Sequence, residues 1–190
     1  MTKLKSQLSG YQVRLERVDS HDLEQLRTWR NDPAVAQFML TQDSISKQQQ
    51  QAWFQKIQRD PSQQHFVIWY KNEAIGAANI KAYYQGETLD AARAIEPGLY
   101  IADPRYRGNV LAFAPTLLLN DYCFDVLATQ SLVAVVKASN QAALNYNFKL
   151  GYRIEKQAEL VEIRLNAADY QQHTAALKAL LNRPVRHNEK

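Results

Sequence analysis

Between Gly98 and Ala112 the chain reads Gly-Leu-Tyr-Ile-Ala-Asp-Pro-Arg-Tyr-Arg-Gly-Asn-Val-Leu-Ala. A strand-like run is cut by Asp103-Pro104, and Arg107-Gly108 then opens a helical pattern. No other stretch constrains the fold as much. Amides at a helix start point outward without partners and carry partial positive charge. A strand that feeds a helix through so tight a turn is a natural seat for a phosphate or pyrophosphate, to which Arg107 can add a full charge. A plain strand-to-helix connection, with Gly108 supplying only flexibility, fits the same residues. The segment alone leaves both readings open.

The flanking pattern is that of a mixed α/β sheet. Tyr11 to Arg17 alternates apolar and polar residues, as a half-buried strand does. Asp19 and Ser20 offer an N-cap to a helix carrying Leu23, Leu26 and Trp29, and Asn31-Asp32-Pro33 ends it. Ser46 and Gln49 have capping-box spacing before a helix with Trp53, Phe54 and Ile57 on its buried stripe. Two strands, His65 to Lys71 and Ala74 to Tyr83, flank a short turn. A third runs from Gly98 to Ala102, and a helix is expected from about Gly108 to Leu127. Ser131 to Val136 reads as a buried strand. Asn140 to Leu150 reads as a helix with Gly151 at its left-handed C-cap. Tyr152 to Lys156 and Glu159 to Leu165 are the last strands. A C-terminal helix over 166–182 and a basic tail over 183–190 follow. The predicted order, β-α-α-β-β-β-α-β-α-β-β-α, excludes a doubly wound parallel sheet.

Composition narrows the function classes. The 190 residues are 46% hydrophobic and 22% charged, which suits one soluble domain over 1–190. A net charge of +4 is spread along the chain. It gives no nucleic-acid signal and suits an enzyme that binds a polyanion. The apolar run Val110 to Leu119 is too short to span a bilayer, and Met1 to Tyr11 lacks a signal-peptide core. The single cysteine, Cys123, excludes an internal disulfide. These features read as a cytoplasmic protein without membrane attachment, a monomer or a homodimer. His21, His65, His173 and His187 lack metal-ligand spacing, so no metal is expected.

A second segment, Asn140-Gln-Ala-Ala-Leu-Asn-Tyr-Asn-Phe-Lys-Leu-Gly-Tyr152, is by itself only a capped helix closed by glycine. At this separation from the first, the pair resembles the GNAT N-acetyltransferase superfamily. In that family a strand ending in Asp-Pro precedes Arg-Gly-x-Gly-x-Gly/Ala, and Asn-x-x-Ala-x-x-x-Tyr-x-Lys-Leu-Gly-Phe comes later. Asp103, Pro104, Arg107, Gly108 and Ala112 match the first motif. Asn140, Ala143, Lys149, Leu150, Gly151 and Tyr152 match the second. The element order follows the family over about Tyr11 to Leu165.

The resemblance implies a mixed, mostly antiparallel central sheet with splayed strands, flanked by helices. It implies acetyl-CoA as cosubstrate, with CoA as product. The strand ending at Ala102 would splay from Ser131 to Val136, and the pantetheine arm would lie in the gap. The backbone of Tyr100, Ile101 and Ala102 would pair with that arm. Arg107 and the amides of Gly108, Asn109, Val110, Leu111 and Ala112 would hold the pyrophosphate, and Asn140 would contact the cofactor from its helix start. The implied reaction moves an acetyl group directly to a primary amine in a ternary complex. Two residues depart from the family pattern. Val110 replaces a glycine and can crowd a pyrophosphate. Asn147 stands where many members carry the tyrosine that protonates the leaving thiolate, which makes Tyr146 the substitute candidate.

An amine attacks a thioester only when neutral, so the reaction needs a base. Glu96, just before the third cleft strand, is the candidate; its rival reading is a solvated strand-edge carboxylate. Pro97 and Gly98 suggest a local irregularity that aims it inward. Trp29-Arg30-Asn31-Asp32-Pro33, with Val35, Phe38 and Met39, resembles the acceptor side of enzymes acting on nucleotide-linked aminosugars and on protein N-termini. Arg30, Asn31 and Met39 are the substrate candidates, Arg30 as a phosphate clamp; equally, Asn31 to Pro33 is a plain helix stop. Cys123 reads as a buried, inert thiol. The expected acceptor is a small-molecule amine. A protein N-terminus is the alternative, followed by a non-catalytic acyl-CoA-binding module and by an unrelated α/β interaction domain.

Overall fold

The computed structural model describes residues 4–37 and 39–183. Phe38, His187 and the tail beyond Arg183 lie outside the described residues. Eight strands form one sheet: β1 (Gln7–Gly10), β2 (Val13–Arg17), β3 (Gln63–Tyr70), β4 (Glu73–Ala82), β5 (Ala94–Ile101), β6 (Ser131–Lys137), β7 (Arg153–Lys156) and β8 (Leu160–Asn166). Their spatial order is β1-β2-β3-β4-β5-β6-β8-β7. Every neighbouring pair is antiparallel except β5 and β6. The expected mixed, mostly antiparallel sheet is therefore present.

The sequence reading missed β1, because the β1–β2 turn carries no glycine. Tyr11 and Gln12 take φ values of 52° and 69°, and Lys71 and Asn72 between β3 and β4 take 47° and 64°. Both are two-residue turns with positive φ at each central position, the type whose twist matches paired strands. Only Asn72 is a residue that favours this conformation.

The helices are α1 (Leu23–Asn31), α2 (Pro33–Ala36), α3 (Lys47–Arg59), α4 (Ala114–Asp121), α5 (Gln141–Lys149) and α6 (Ala167–Leu181). Their starts follow the local sequence. Before α1, Asp19 and Asp22 form a capping box around a short 3₁₀ turn. Ser46 and Gln49 close the one at α3, with the Gln49 amide donating to Ser46 Oγ at 3.1 Å and the Ser46 amide to Gln49 Oε1 at 2.8 Å. The continuous helix expected over Gly108 to Leu127 is instead three pieces. Val110–Phe113 is 3₁₀, α4 follows, and Tyr122–Val126 is a π turn closed by Leu127 N donating to Tyr122 O at 3.0 Å. Pro115 explains the delayed start, since proline lacks an amide and sits best in a first helical turn.

The core lies between the sheet and helices α4 and α6, where Leu15, Ile80, Ile95, Leu117, Leu132 and Tyr170 are fully buried. A smaller cluster of Val18, Leu23, Leu26 and Val67 seats α1 on the opposite face, and α3 joins it through half-buried Trp53 and Phe54. No helix among the described residues is long and apolar enough to cross a membrane.

The sheet divides at its parallel pair. β5 and β6 are joined only at Ala94↔Ser131 and Ile95↔Leu132. Beyond that, β5 stays with β4 out to Ile101↔Gly76, and β6 stays with β8 out to Lys137↔Leu160. The strands part from Pro97 onward, and a wedge opens in mid-sheet.

Candidate active site

Strand alternation decides which groups of β5 face the wedge. Ala94 O accepts from Tyr83 N on the β4 side, whereas Arg93 O accepts from Gln130 N on the β6 side. Further along, Ala102 N donates to Ile75 O, again towards β4. The β4–β5 register shows no shift along this length, so the irregularity expected at Pro97-Gly98 is absent. Backbone groups therefore alternate, with even-numbered residues facing β4 and odd-numbered ones facing the wedge. Of Tyr100, Ile101 and Ala102, only Ile101 presents its backbone to the wedge; Leu99 joins it. Pro97 also falls on the wedge side, where its missing amide costs no ladder bond.

The turn after β5 is built by side chains. Asp103 Oδ1 accepts from Arg105 N at 2.9 Å. Gly108 has a φ of +70° with open space where a Cβ would be, so backbone conformation, not room, demands glycine. Asn109 Oδ1 accepts from Leu111 N at 3.0 Å, and Asn109 O accepts from Ala112 N at 3.1 Å. Two of the five amides expected at an anion site are thus consumed, leaving Gly108, Asn109 and Val110. Arg107 does not extend into free space: it donates from Nε to Ile101 O at 2.8 Å and from Nη2 to Ala102 O at 2.6 Å. Its charge is anchored at the strand end beside the turn. Val110, where the family pattern has glycine, is 44% exposed.

A groove of about 480 Å³ runs from this turn into the wedge. Gly108, Ala112, Thr116 and Asn120 line one side, and Asn140, Ala143, Tyr146, Asn147 and Tyr152 line the other. Asn140 caps α5 by accepting from Ala143 N at 3.1 Å, and Asn147 donates to Ala143 O at 2.9 Å. Tyr146 stacks on Phe113 with centroids 4.4 Å apart, and its hydroxyl shares a 2.5 Å hydrogen bond with Thr116 and donates to Ala112 O at 3.2 Å. Burial pushes its phenol well above the ordinary range. That hydroxyl ties α5 to α4 and is not free in the groove. Burial pushes Tyr152 up as well, with weaker contributions from Cys123, Tyr146 and Glu96.

A second cavity of about 690 Å³ opens on the other face of the sheet. The two share Met39, Pro97, Gly98, Leu99, Tyr100 and Ala134, so they meet at the wedge. Its sheet wall carries Glu96, Lys81, Asn79 and His65, with Lys81 opposite Glu96 and Asn79 opposite both His65 and Gly98. Arg30 and Trp53 line it from the helices. Neither Arg30 nor Glu96 has an ion-pair partner among the described residues. Tyr100 packs edge-on to Trp29 at 6.5 Å, and desolvation pushes its phenol up to about 12, opposed by nearby Arg30. Desolvation, then Lys81, drives His65 down to about 4, against a weaker pull from Asp60. Asn31 is placed differently from expectation and lines neither cavity. Its amide donates to Ile45 O at 2.9 Å and accepts from Ile45 N at 2.8 Å, which pins the loop after α2 to α1.

Sequence reasoning missed three lining residues. Asn79 and Lys81 lie on β4 within an ordinary strand pattern. Asn120 follows the apolar run Leu117 to Leu119, and a polar residue at that point was the only available signal. Cys123 is fully buried, and burial raises its thiol far above the usual range, as an inert cysteine requires.

Comparison with known proteins agrees with this geometry. The family model described as "Acetyltransferase (GNAT) domain" matches residues 12–153. The acetyltransferase PseH of Campylobacter jejuni is 27% identical over 130 residues, covering 67% of this chain and 74% of its own. The structure of apo FdhC, described as a nucleotide-linked sugar GNAT, superposes with a TM-score of 0.77 at 14% identity, covering 94% of this chain and all of FdhC. Spermidine N-acetyltransferase from Vibrio cholerae, solved with CoA and spermine, superposes with a TM-score of 0.71 at 18% identity, covering 84% and 98%. A split sheet, a capped turn at its open end, two cavities meeting at the wedge and a family match over three quarters of the sequence lead to one assignment: the chain belongs to the GNAT family and is an acetyltransferase.

Proposed function

We propose that this protein transfers the acetyl group of acetyl-CoA directly to the primary amine of an anionic small molecule, a nucleotide-linked aminosugar in the first instance. The observation that carries the reading is the pair of cavities meeting at the wedge, the second lined by the unpaired Arg30 and by Lys81, with Glu96 as its carboxylate. Two cations and one carboxylate suit a phosphate-bearing acceptor. A polyamine calls for the opposite balance.

The groove residues fit the cofactor. Three unconsumed amides at Gly108, Asn109 and Val110 form a concave donor set of the kind that takes a pyrophosphate. The wedge-facing backbone of Leu99 and Ile101 offers a strand edge to the amides of the pantetheine arm. Ile101 offers chiefly its amide, because Arg107 occupies its carbonyl. Bound there, acetyl-CoA supplies an activated acyl group. Glu96 takes the proton from the acceptor ammonium, and Arg30 holds the acceptor's phosphate. The Tyr152 hydroxyl would offer the sulfur a hydrogen bond, and the second proton lost by the amine nitrogen would leave with the CoA thiol. Tyr146, whose hydroxyl is engaged at Ala112 and Thr116, braces the groove. We place the chain in the cytoplasm as one domain, a monomer or homodimer.

Turnover tests the reading. CoA release is measured with acetyl-CoA against a nucleotide-linked aminosugar, spermidine and a peptide with a free N-terminus. Activity is expected with the first. Preference for spermidine or the peptide overturns the acceptor assignment. CoA binding without turnover of any amine leaves a non-catalytic acyl-CoA-binding module.

A further inference from the structure

Asn120 is 0% exposed, and neither its Oδ1 nor its Nδ2 has a hydrogen-bond partner. Its surroundings on α4, Leu117, Leu118 and Leu119, are buried and apolar. An unpaired carboxamide in such a place is costly and needs an explanation, because buried polar groups almost always find partners. Asn120 also lines the groove.

Its position along the groove follows from topology. β5 and β6 are parallel, so α4 must run back from the open end of β5 towards the point where β6 begins. Ala112, Thr116 and Asn120 are spaced by four and line the groove together. Within α4, at a rise of 1.5 Å per residue, Asn120 lies about 6 Å deeper than Thr116, and Ala112 lies further out still, in the 3₁₀ segment before the helix. It therefore stands at the inner end, beside the point where the strands part, far from the phosphate-binding turn.

We propose that Asn120 is a binding residue for the distal end of the acylated pantetheine arm, pairing its carboxamide with the last amide and the thioester carbonyl. This rests on the acetyl-CoA reading of the groove. The site trades apo-state stability for recognition: the carboxamide stays unpaired until the arm arrives, then gains partners in a desolvated setting.

The test is calorimetric titration of the parent, Asn120→Leu and Asn120→Ala with three probes: acetyl-CoA, CoA, and 3′,5′-ADP, which lacks the arm. Both variants should bind acetyl-CoA about tenfold more weakly, the size of one or two lost hydrogen bonds, with 3′,5′-ADP unchanged. A larger loss for acetyl-CoA than for CoA assigns the contact to the thioester, and an equal loss assigns it to the amide. Asn120→Leu should also raise the melting temperature of the free protein, since it removes an unpaired polar group. Asn120→Ala cannot overfill the site and keeps the affinity test valid if leucine does. Variants that bind acetyl-CoA as tightly as the parent overturn the proposal while leaving the cofactor assignment intact. A parent that binds neither CoA nor acetyl-CoA overturns both.

Discussion

Glu96 is the residue on which the proposed chemistry depends, and its setting separates a base from a bystander. It stands on the acceptor-side face of β5, two residues from Gly98 and four from Tyr100, with Lys81 across the ladder. Replacing it by glutamine removes the proton acceptor and leaves the groove amides untouched. Glu96→Gln is expected to lower kcat/KM by about 10²–10⁴ with CoA affinity unchanged, and the residual rate should climb with pH as free amine accumulates. Full activity in the variant would mean that the base lies elsewhere. His65 makes a separate, testable contribution. Its folded-state pKa lies below its unfolded value, so between about 4 and 6.5 the unfolded chain binds more protons. The stability it protects is complete above pH 6.5 and is lost as the pH falls towards 4, by roughly 3 kcal/mol at most. His65→Gln should flatten the fall in melting temperature across that window. An unchanged profile would show that His65 titrates normally.

At the scale of elements, two glycines in the family motifs do different work, and alanine tells them apart. Gly108 has a φ of +70° and nothing near its missing Cβ, whereas Gly151 has a φ of +101° and a Cβ there would sit 2.9 Å from Asp169 O. Gly108→Ala should cost about 1 kcal/mol of backbone strain and should weaken CoA binding. Gly151→Ala carries similar strain plus a clash with backbone, so it should destabilise by about 2–4 kcal/mol, read by denaturant melts. Equal costs would count against this account of α5's C-cap. The same elements show how much was legible. Ser46, Asp32, Asn140 and Gly151 announce helix ends through side-chain and backbone chemistry that acts within four residues, and these boundaries were readable. β1 was not, because Tyr11 and Gln12 have no local preference for positive φ, and the turn is held by Tyr11 donating to Asp121 and by Gln12 Nε2 donating to Leu181 O at 3.0 Å. Nor was the direction of Arg107, which depends on where β5 ends in space; the loss of the Leu111 and Ala112 amides to Asn109 is local cap chemistry that the sequence reading passed over. For the candidate site, the turn residues and Glu96 could be named as candidates from local sequence, while the cavity wall of Lys81, Asn79 and His65 required the strand register.

At the scale of the molecule, the split sheet makes one structure serve two ligands. In the proposed function the cofactor would enter the wedge from one side and the acceptor from the other, and their reacting ends would meet near Leu99, Tyr100 and Ala134, which line both cavities. A ligand that bridges α4, α5 and β5 must stabilise the whole. At 100 times its dissociation constant, CoA adds about 2.7 kcal/mol, expected to raise the melting temperature by about 5–10 °C. No shift at millimolar CoA would count decisively against the groove assignment. The same architecture sets the kinetic order. If both ligands occupy their cavities together, no acyl group needs to rest on the protein. The only cysteine is fully buried on the π turn after α4, and burial holds its thiol protonated. Initial rates measured over a grid of acetyl-CoA and acceptor concentrations should give intersecting double-reciprocal lines, the pattern of a ternary complex. Cys123→Ala should retain kcat within a few-fold, with its cost confined to stability at about 1 kcal/mol from the small cavity left behind. Parallel lines, or a thousandfold loss of turnover in a folded Cys123→Ala protein, would place an acyl-enzyme on the path and overturn direct transfer.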